Sequence, residues 1–222
     1  MKLLQILSLI SILSPQINSQ TKWALYVTTA NNETYLTATN LALKSLSGLE
    51  KFTNITILDL STNDLSEIEE IKYLTNLKQL NLYSNQIKSL QVFENLTNLT
   101  HLSIGNNYWT SLHGIENLKK LVYLNILENR VFTIDILTNF KYLEMLNQSS
   151  KSTLERADGI ENLFELKKLQ MIQNKITSVE LLANLTKLTH LDLKNNLIEI
   201  TKGLENMIFL EKLDLSLNKI HT

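Results

Sequence analysis

Few side chains in this 222-residue sequence carry groups that could act on a substrate, and those few fall at a fixed spacing. Asp192 and Asp214 lie 22 residues apart, and Lys168, His190 and Lys212 repeat the same interval. Two carboxylates held about 5 Å apart could cleave a glycosidic bond as nucleophile and acid–base. Two histidines on one face, His101 and His190, could ligate a metal or move a proton if they converged. Cysteine is absent, which excludes disulfides, thiolate metal sites and a cysteine nucleophile. The sequence holds no Gly-rich phosphate loop, no Walker pattern and no HExxH pair.

The elements that would position these groups follow from the spacing itself. With 44% hydrophobic residues the chain can bury one sizeable core. Its 21 basic residues against 22 acidic ones give no overall field that would draw nucleic acid or an anionic membrane. Five glycines and one proline are few for a chain of many turns, so another residue must stabilise them.

That residue is asparagine. LTNLKQLNLYSNQI from Leu74, LTNLTHLSIGNNYW from Leu96, LKKLVYLNILENRV from Leu118 and LTKLTHLDLKNNLI from Leu185 all fit LxxLxxLxLxxNxI. The turn asparagines are Asn63, Asn85, Asn107, Asn129, Asn174, Asn196 and Asn218, spaced by 22 residues except across one irregular unit. LxL alternation predicts a short strand with leucines inward and their neighbours outward. The following Asn is expected to bond backbone groups buried at the turn, forming a ladder from coil to coil. Ile71, Leu74 and Leu77 then recur at the three-residue interval of a 3₁₀ turn. One coil cannot bury its own apolar face, but stacked coils can, in parallel strands about 4.8 Å apart.

These motifs resemble the 22-residue leucine-rich repeats of bacterial internalins and of a regulatory subunit of protein phosphatase 1, over about residues 36–222. The resemblance implies an α/β solenoid: a curved parallel sheet on the concave face, 3₁₀ or helical turns on the convex face, and a role in binding another protein, with no catalysis and no cofactor. GIENL at 114–118 and 159–163 is similar to the phosphatase regulator, and LTNL and LANLTKL to internalins. The regulator carries aromatic and acidic residues along its concave face. The matching column here, Asp59, Asn81, Ser103, Asn125, Asn147, Gln170, Asp192 and Asp214, has no aromatic.

The ends differ from the repeats. Residues 1–19 have the charged start, short apolar run and small residues of a secretory signal, or alternatively form an amphipathic helix over the end of the solenoid. A signal implies a secreted or surface protein with no stable membrane insertion after its removal, and an uncleaved segment implies a cytoplasmic or nuclear scaffold. Residues 20–48 read as an N-terminal cap with a degenerate coil, in which Leu36, Ala38, Leu43 and Leu46 stand where Leu58, Leu60, Leu65 and Ile68 do in the next. Residues 49–222 read as about eight repeats, the last incomplete and without a recognisable cap, an edge open to self-association. In the unit after Leu137, Gln148 replaces a core leucine, Lys151 replaces the Asn, and one extra residue is needed to bring Leu154 and Ala157 into phase. This is either a bulge that shapes the face or drift in a tolerant array.

The outward strand positions form the candidate site. Ile57, Tyr83, His101, Tyr123, Leu127 and Met145 make an aromatic and apolar set, and Lys168, His190, Asp192, Lys212 and Asp214 a charged one. His101 and His190 fall about 19 Å apart at 4.8 Å per strand, too far to share a metal, so no metal site is expected. Trp109 occupies an inward position and is expected in the core. Sequons at Asn32, Asn54, Asn95, Asn98, Asn147 and Asn184 would matter in a eukaryotic source, and an Asn-rich repeat also generates them by chance.

Overall fold

The structure, a computed structural model, describes residues 27–30, 33–149 and 154–221. The proposed signal segment 1–19, the first part of the cap and Lys151 lie outside these residues.

The strands follow the chain in order in one ten-stranded sheet: β1 (Val27–Ala30), β2 (Glu33–Thr37), β3 (Ile57–Asp59), β4 (Gln79–Asn81), β5 (His101–Ser103), β6 (Tyr123–Asn125), β7 (Met145–Asn147), β8 (Lys168–Gln170), β9 (His190–Asp192) and β10 (Lys212–Asp214). Strands β2 to β10 are parallel and paired one repeat apart, Leu58 with Leu80 and Leu80 with Leu102. Across β7 and β8 the step is one residue longer, Leu146 with Leu169, which places the extra residue as the repeat phase requires. Ahead of the regular repeats, Leu36 pairs with Leu58, and Leu36, Ala38, Leu43 and Leu46 are buried. β1 was not legible in the repeat. It runs antiparallel to β2 and adds a hairpin strand to the N-terminal edge.

The return segments explain the three-residue leucine spacing. Ile71 donates its N–H to Ile68 O, Leu74 to Ile71 O and Leu77 to Leu74 O, so each inward residue bonds to the inward residue before it. The same chain links Leu90, Phe93, Leu96 and Leu99, and Ile134, Leu137, Phe140 and Leu143. Among the described residues these segments contain 3₁₀ helices, such as Glu69–Tyr73, Gln91–Asn95 and Asp135–Asn139. The architecture is an α/β leucine-rich-repeat solenoid whose helical part is 3₁₀. Every third coil position is thereby forced inward, which is why one continuous core runs along the axis.

Asparagine holds successive coils together. Asn107 accepts from Ile87 N at 3.0 Å and donates through Nδ2 to Leu82 O and Ile104 O, both at 3.1 Å. One amide thus bridges its own turn and the coil before it. Asn63, Asn85, Asn196 and Asn218 repeat the arrangement, and Asn129 repeats the donor half while its Oδ1 accepts from Asn107 N. The residue before each ladder Asn is left-handed, with Thr62, Ser84, Asn106, Glu128, Gln173, Asn195 and Leu217 all near φ +50 to +60°. Asn106 is therefore not the plain solvent position it resembles in sequence. Where the repeat uses Gly114, a Cβ would lie 2.4 Å from Leu90 C and O, so the turn there packs backbone on backbone.

The irregular coil is compensated. Gln148 is 1% exposed, and its Oε1 accepts from Asn174 Nδ2 at 2.9 Å. In other coils that donor reaches the backbone carbonyl of the residue equivalent to Gln148. A side-chain amide here takes the carbonyl's place, and Leu154 and Ala157 return to the core. Trp109 is buried as expected, with its indole N–H unpaired among the described residues. At the other end Leu213 is 47% exposed, whereas the equivalent Leu191 is 1% exposed.

Two stability measurements follow. Asn107→Ala should lose about 1–3 kcal/mol in chemical denaturation because it orphans buried backbone groups, whereas Asn106→Gly, which suits the left-handed turn, should stay within about 0.5 kcal/mol. Restoring the consensus by Gln148→Leu should destabilise by about 1–3 kcal/mol despite the added apolar surface, because Asn174 loses a buried acceptor. A stabilised Gln148→Leu protein would refute the compensation.

Candidate functional site

Strand alternation turns three residues of each coil outward, and parallel register aligns them in columns. The first column reads Tyr35, Ile57, Gln79, His101, Tyr123, Met145, Lys168, His190 and Lys212. The second begins Thr37, Asp59, Asn81, Ser103 and ends Asp192, Asp214. Tyr83, Gly105, Leu127 and Ile172 belong to the third, just beyond the strands.

The second column does more than face solvent. Asp59 Oδ1 accepts from Ser61 N, Asn81 Oδ1 from Tyr83 N, Asn125 Oδ1 from Leu127 N, Asp192 Oδ1 from Lys194 N and Asp214 Oδ1 from Ser216 N, at 2.8–3.1 Å. These are Asx turns, which end these five strands by capping the N–H two residues on. Neighbours also bond along the column, Asn81 Nδ2 to Asp59 Oδ2 and Asn125 Nδ2 to Ser103 Oγ. Asp192 and Asp214, read from sequence as partner-facing, thus each use one oxygen on their own turn.

The aromatic set is held in two places. The His101 and Tyr123 rings stack at 6.0 Å between centroids, 23° from parallel. Thr100 Oγ1 lies 3.0 Å from His101 Nδ1 and donates to Lys78 O, which fixes the imidazole at the strand's start. Tyr83 lies over Gly105, where an added Cβ would meet its ring carbon at 2.9 Å. Burial and the nearby Glu128 carboxylate push the Tyr83 phenol up from its ordinary pKa. Glycine was the overlooked signal here, since only the coil stacking reveals that it makes room for a ring 22 residues earlier. Leu127 and Met145 are half-buried on the same face.

Between the first two columns, Ile57, Asp59, Gln79, Asn81, His101 and Tyr123 line an open depression of about 320 Å³. Asp59, named in the sequence only as a member of the second column, and Gln79 were not among the predicted site residues. The other predicted set lies apart from it: Lys168 on β8, His190 and Asp192 on β9, and Lys212 and Asp214 on β10. His190 repeats the threonine contact, with Thr189 Oγ1 2.9 Å from its Nδ1. His101 and His190 stand four strands apart, and among the described residues no three His, Cys, Asp or Glu side chains converge on a metal position.

Asp192 and Asp214 are direct strand neighbours. Hydrogen bonds from the Ser216 hydroxyl and amide, with Lys194 nearby, hold the Asp214 carboxyl below the ordinary aspartate pKa. The acid of a glycosidase pair needs the opposite shift. A ¹³C-detected titration should therefore show Asp214 losing its proton below the ordinary aspartate range and staying charged at neutral pH. A value raised toward neutrality would return the pair to consideration as acid and base.

Residues 75–120 match the family model for leucine-rich repeats in two copies. No curated protein matches the chain. Among solved structures, internalin C2 from Listeria monocytogenes aligns with a TM-score of 0.78 at 24% identity, covering 81% of this chain and 79% of that one. The functional domain of InlJ from Listeria monocytogenes aligns with a TM-score of 0.77 at 28% identity, over 84% of this chain and 40% of that one. The plant peptide hormone receptor RGFR1, solved in complex with RGF2, aligns with a TM-score of 0.68 at 26% identity, over 79% of this chain and 30% of the receptor. This chain is thus a repeat protein of the leucine-rich class that resembles internalins, and it spans less than half of the second and third structures. Among the described residues no helix is long and apolar enough to cross a membrane.

Proposed function

We propose that this leucine-rich-repeat protein is a non-catalytic module that recognises a protein partner through the open face of its sheet, and that it works outside the cell or on its surface. The observation that carries the reading is the composition of that face. From β3 to β7 it presents Ile57, Tyr83, His101, Tyr123, Leu127 and Met145 among small polar groups, and aromatic and apolar side chains ringed by polar ones are what binding hot spots consist of. Function in such a fold resides in the face and not in the scaffold.

Catalysis lacks support on physical grounds. The face is open, so nothing excludes water from Asp192 and Asp214, and one oxygen of each is committed to a turn. The secreted placement rests on the sequence of residues 1–19 and is supported by the likeness to internalins. Mass spectrometry of the protein from its source cells should find a mature start near Gln20 in the medium. An uncleaved chain in the cytosol would favour an intracellular scaffold instead.

The site itself is tested by two double variants against a partner isolated from the natural environment. Tyr83→Ala with Tyr123→Ala should weaken binding by at least about thirtyfold while the melting curve stays cooperative. Lys72→Ala with Lys119→Ala, on the convex side, should leave affinity within about twofold. Binding lost in the lysine pair and kept in the tyrosine pair would place the partner on the other surface.

A further inference from the structure

The sheet face is divided, with Lys168, Lys194 and Lys212 in its outward columns from β8 onward and no lysine or arginine in those columns from β2 to β7. The aromatic half is therefore shaped by contact. In its third column Ser61, Tyr83, Leu127, Ser149 and Ile172 are half-buried, whereas Gly105, at the same outward position, is buried. The Tyr83 ring covers it, since a Cβ built at 105 would lie 2.9 Å from the ring's Cδ2 and 3.1 Å from its Cε2. Resting on the binding role above, we propose that Gly105 is a positioning residue of the partner-binding face, whose missing side chain seats the Tyr83 ring across the next coil, against the coil of Leu127.

The backbone does not ask for glycine at this position. Among the described residues the glycines with positive φ are Gly48, Gly114, Gly159 and Gly203, and the left-handed residue of this turn is Asn106, at φ 49°. Other coils place serine, tyrosine, leucine, isoleucine or lysine where Gly105 stands. An added methyl group would thus suit the chain and collide with the ring. It could not move aside, because Leu127 O would stand 3.0 Å away from the following coil, and that carbonyl is held by the Asn106 amide at 2.7 Å. Gly105 O in turn accepts from Ser84 N at 2.9 Å and Asn107 Nδ2 at 3.0 Å. The Tyr83 backbone is equally fixed, its N–H donating to Asn81 Oδ1 at 3.1 Å and its carbonyl accepting from Thr62 N at 2.8 Å. The ring is the part that must turn away. Ordering a side chain on association costs free energy, and a tyrosine already seated over Gly105 avoids that cost when a partner meets it.

The experiment begins with the whole chain and no partner. Nuclear Overhauser contacts should join the Tyr83 ring protons to Gly105 Hα, and in Gly105→Ala none should join that ring to the new methyl group. The Tyr83 phenol, raised first by burial and then by Glu128, should titrate nearer the ordinary tyrosine value in that variant because the ring has lost its cover. Against the partner isolated from the natural environment, Gly105→Ala should weaken binding at least about tenfold. Added to Tyr83→Ala, the same substitution should change affinity by less than about twofold, because the two residues act as one unit. If Gly105→Ala alone fails to fold, the double variant decides: with the ring gone the space is vacant, and it should melt no lower than Tyr83→Ala. A ring that stays on the methyl group, an affinity that Gly105→Ala leaves unchanged, or a double variant that loses binding or stability beyond Tyr83→Ala would each overturn the role of Gly105. Failure here is distinct from failure of the face itself: binding that is lost in Tyr83→Ala and kept in Gly105→Ala leaves the face in place and removes only the glycine's part.

Discussion

Every coil of this chain must close a tight turn whose backbone groups point into a dry core, and unpaired groups there are costly. A buried asparagine amide resolves this by bonding backward and locally at once, as Asn85 does to Leu60 O, Leu82 O and Leu65 N. At Asn85 the bond backward spans 25 residues and the acceptor bond 20, so both depend on the length of the coil between them. The repeat length, the strand register and the inward phase of the leucines therefore depend on the same amide. Where the chain lengthens by one residue and the asparagine is missing, the glutamine amide of Gln148 meets Asn174 and the phase survives.

With the coils fixed at that spacing, strands of three residues are enough, because β3 to β9 are each bonded on both sides along the array. Short strands leave little room for design on the inner positions, where leucine recurs. The outer positions are constrained where they cap a turn or, as at Gly105, lie under a neighbouring ring. Asp or Asn in the second column meets that need with one side-chain oxygen, and the rest of the group stays available to a partner. This is how Asp59 can belong at once to the scaffold and to the depression beside Tyr123.

Much of this was readable from residues alone. Leu58, Leu60, Leu65 and Ile68 declare the coil because burial repeats with the same period as the chain, and the seven ladder asparagines declare the turns. Trp109 could be assigned to the core by phase. Other features depend on contacts between residues 22 to 26 positions apart whose pairing leaves no periodic mark. The Gln148 and Asn174 pair looks like two unrelated polar residues, and Gly105 looks like a gap until Tyr83 is laid over it. The Asx turns were missed for a different reason: an exposed aspartate that caps its own strand has the same place in the sequence as one that does not. β1 escaped because a strand antiparallel to the array carries no leucine repeat.

The division of the face follows from these constraints. A repeat scaffold leaves its outward side chains nearly independent of one another in stability, so charge can be placed on one part of the sheet and kept off another without disturbing the core. Self-repulsion does not force such a separation here, because Lys168, Lys194 and Lys212 could be distributed along all the coils at the same net charge. Packing does not force it either, since the lysines are exposed. A distribution that neither folding nor solubility requires is what the proposed partner-binding role would explain. Opposite charge on a partner would set its orientation along the solenoid, with the aromatic coils supplying the area that holds it.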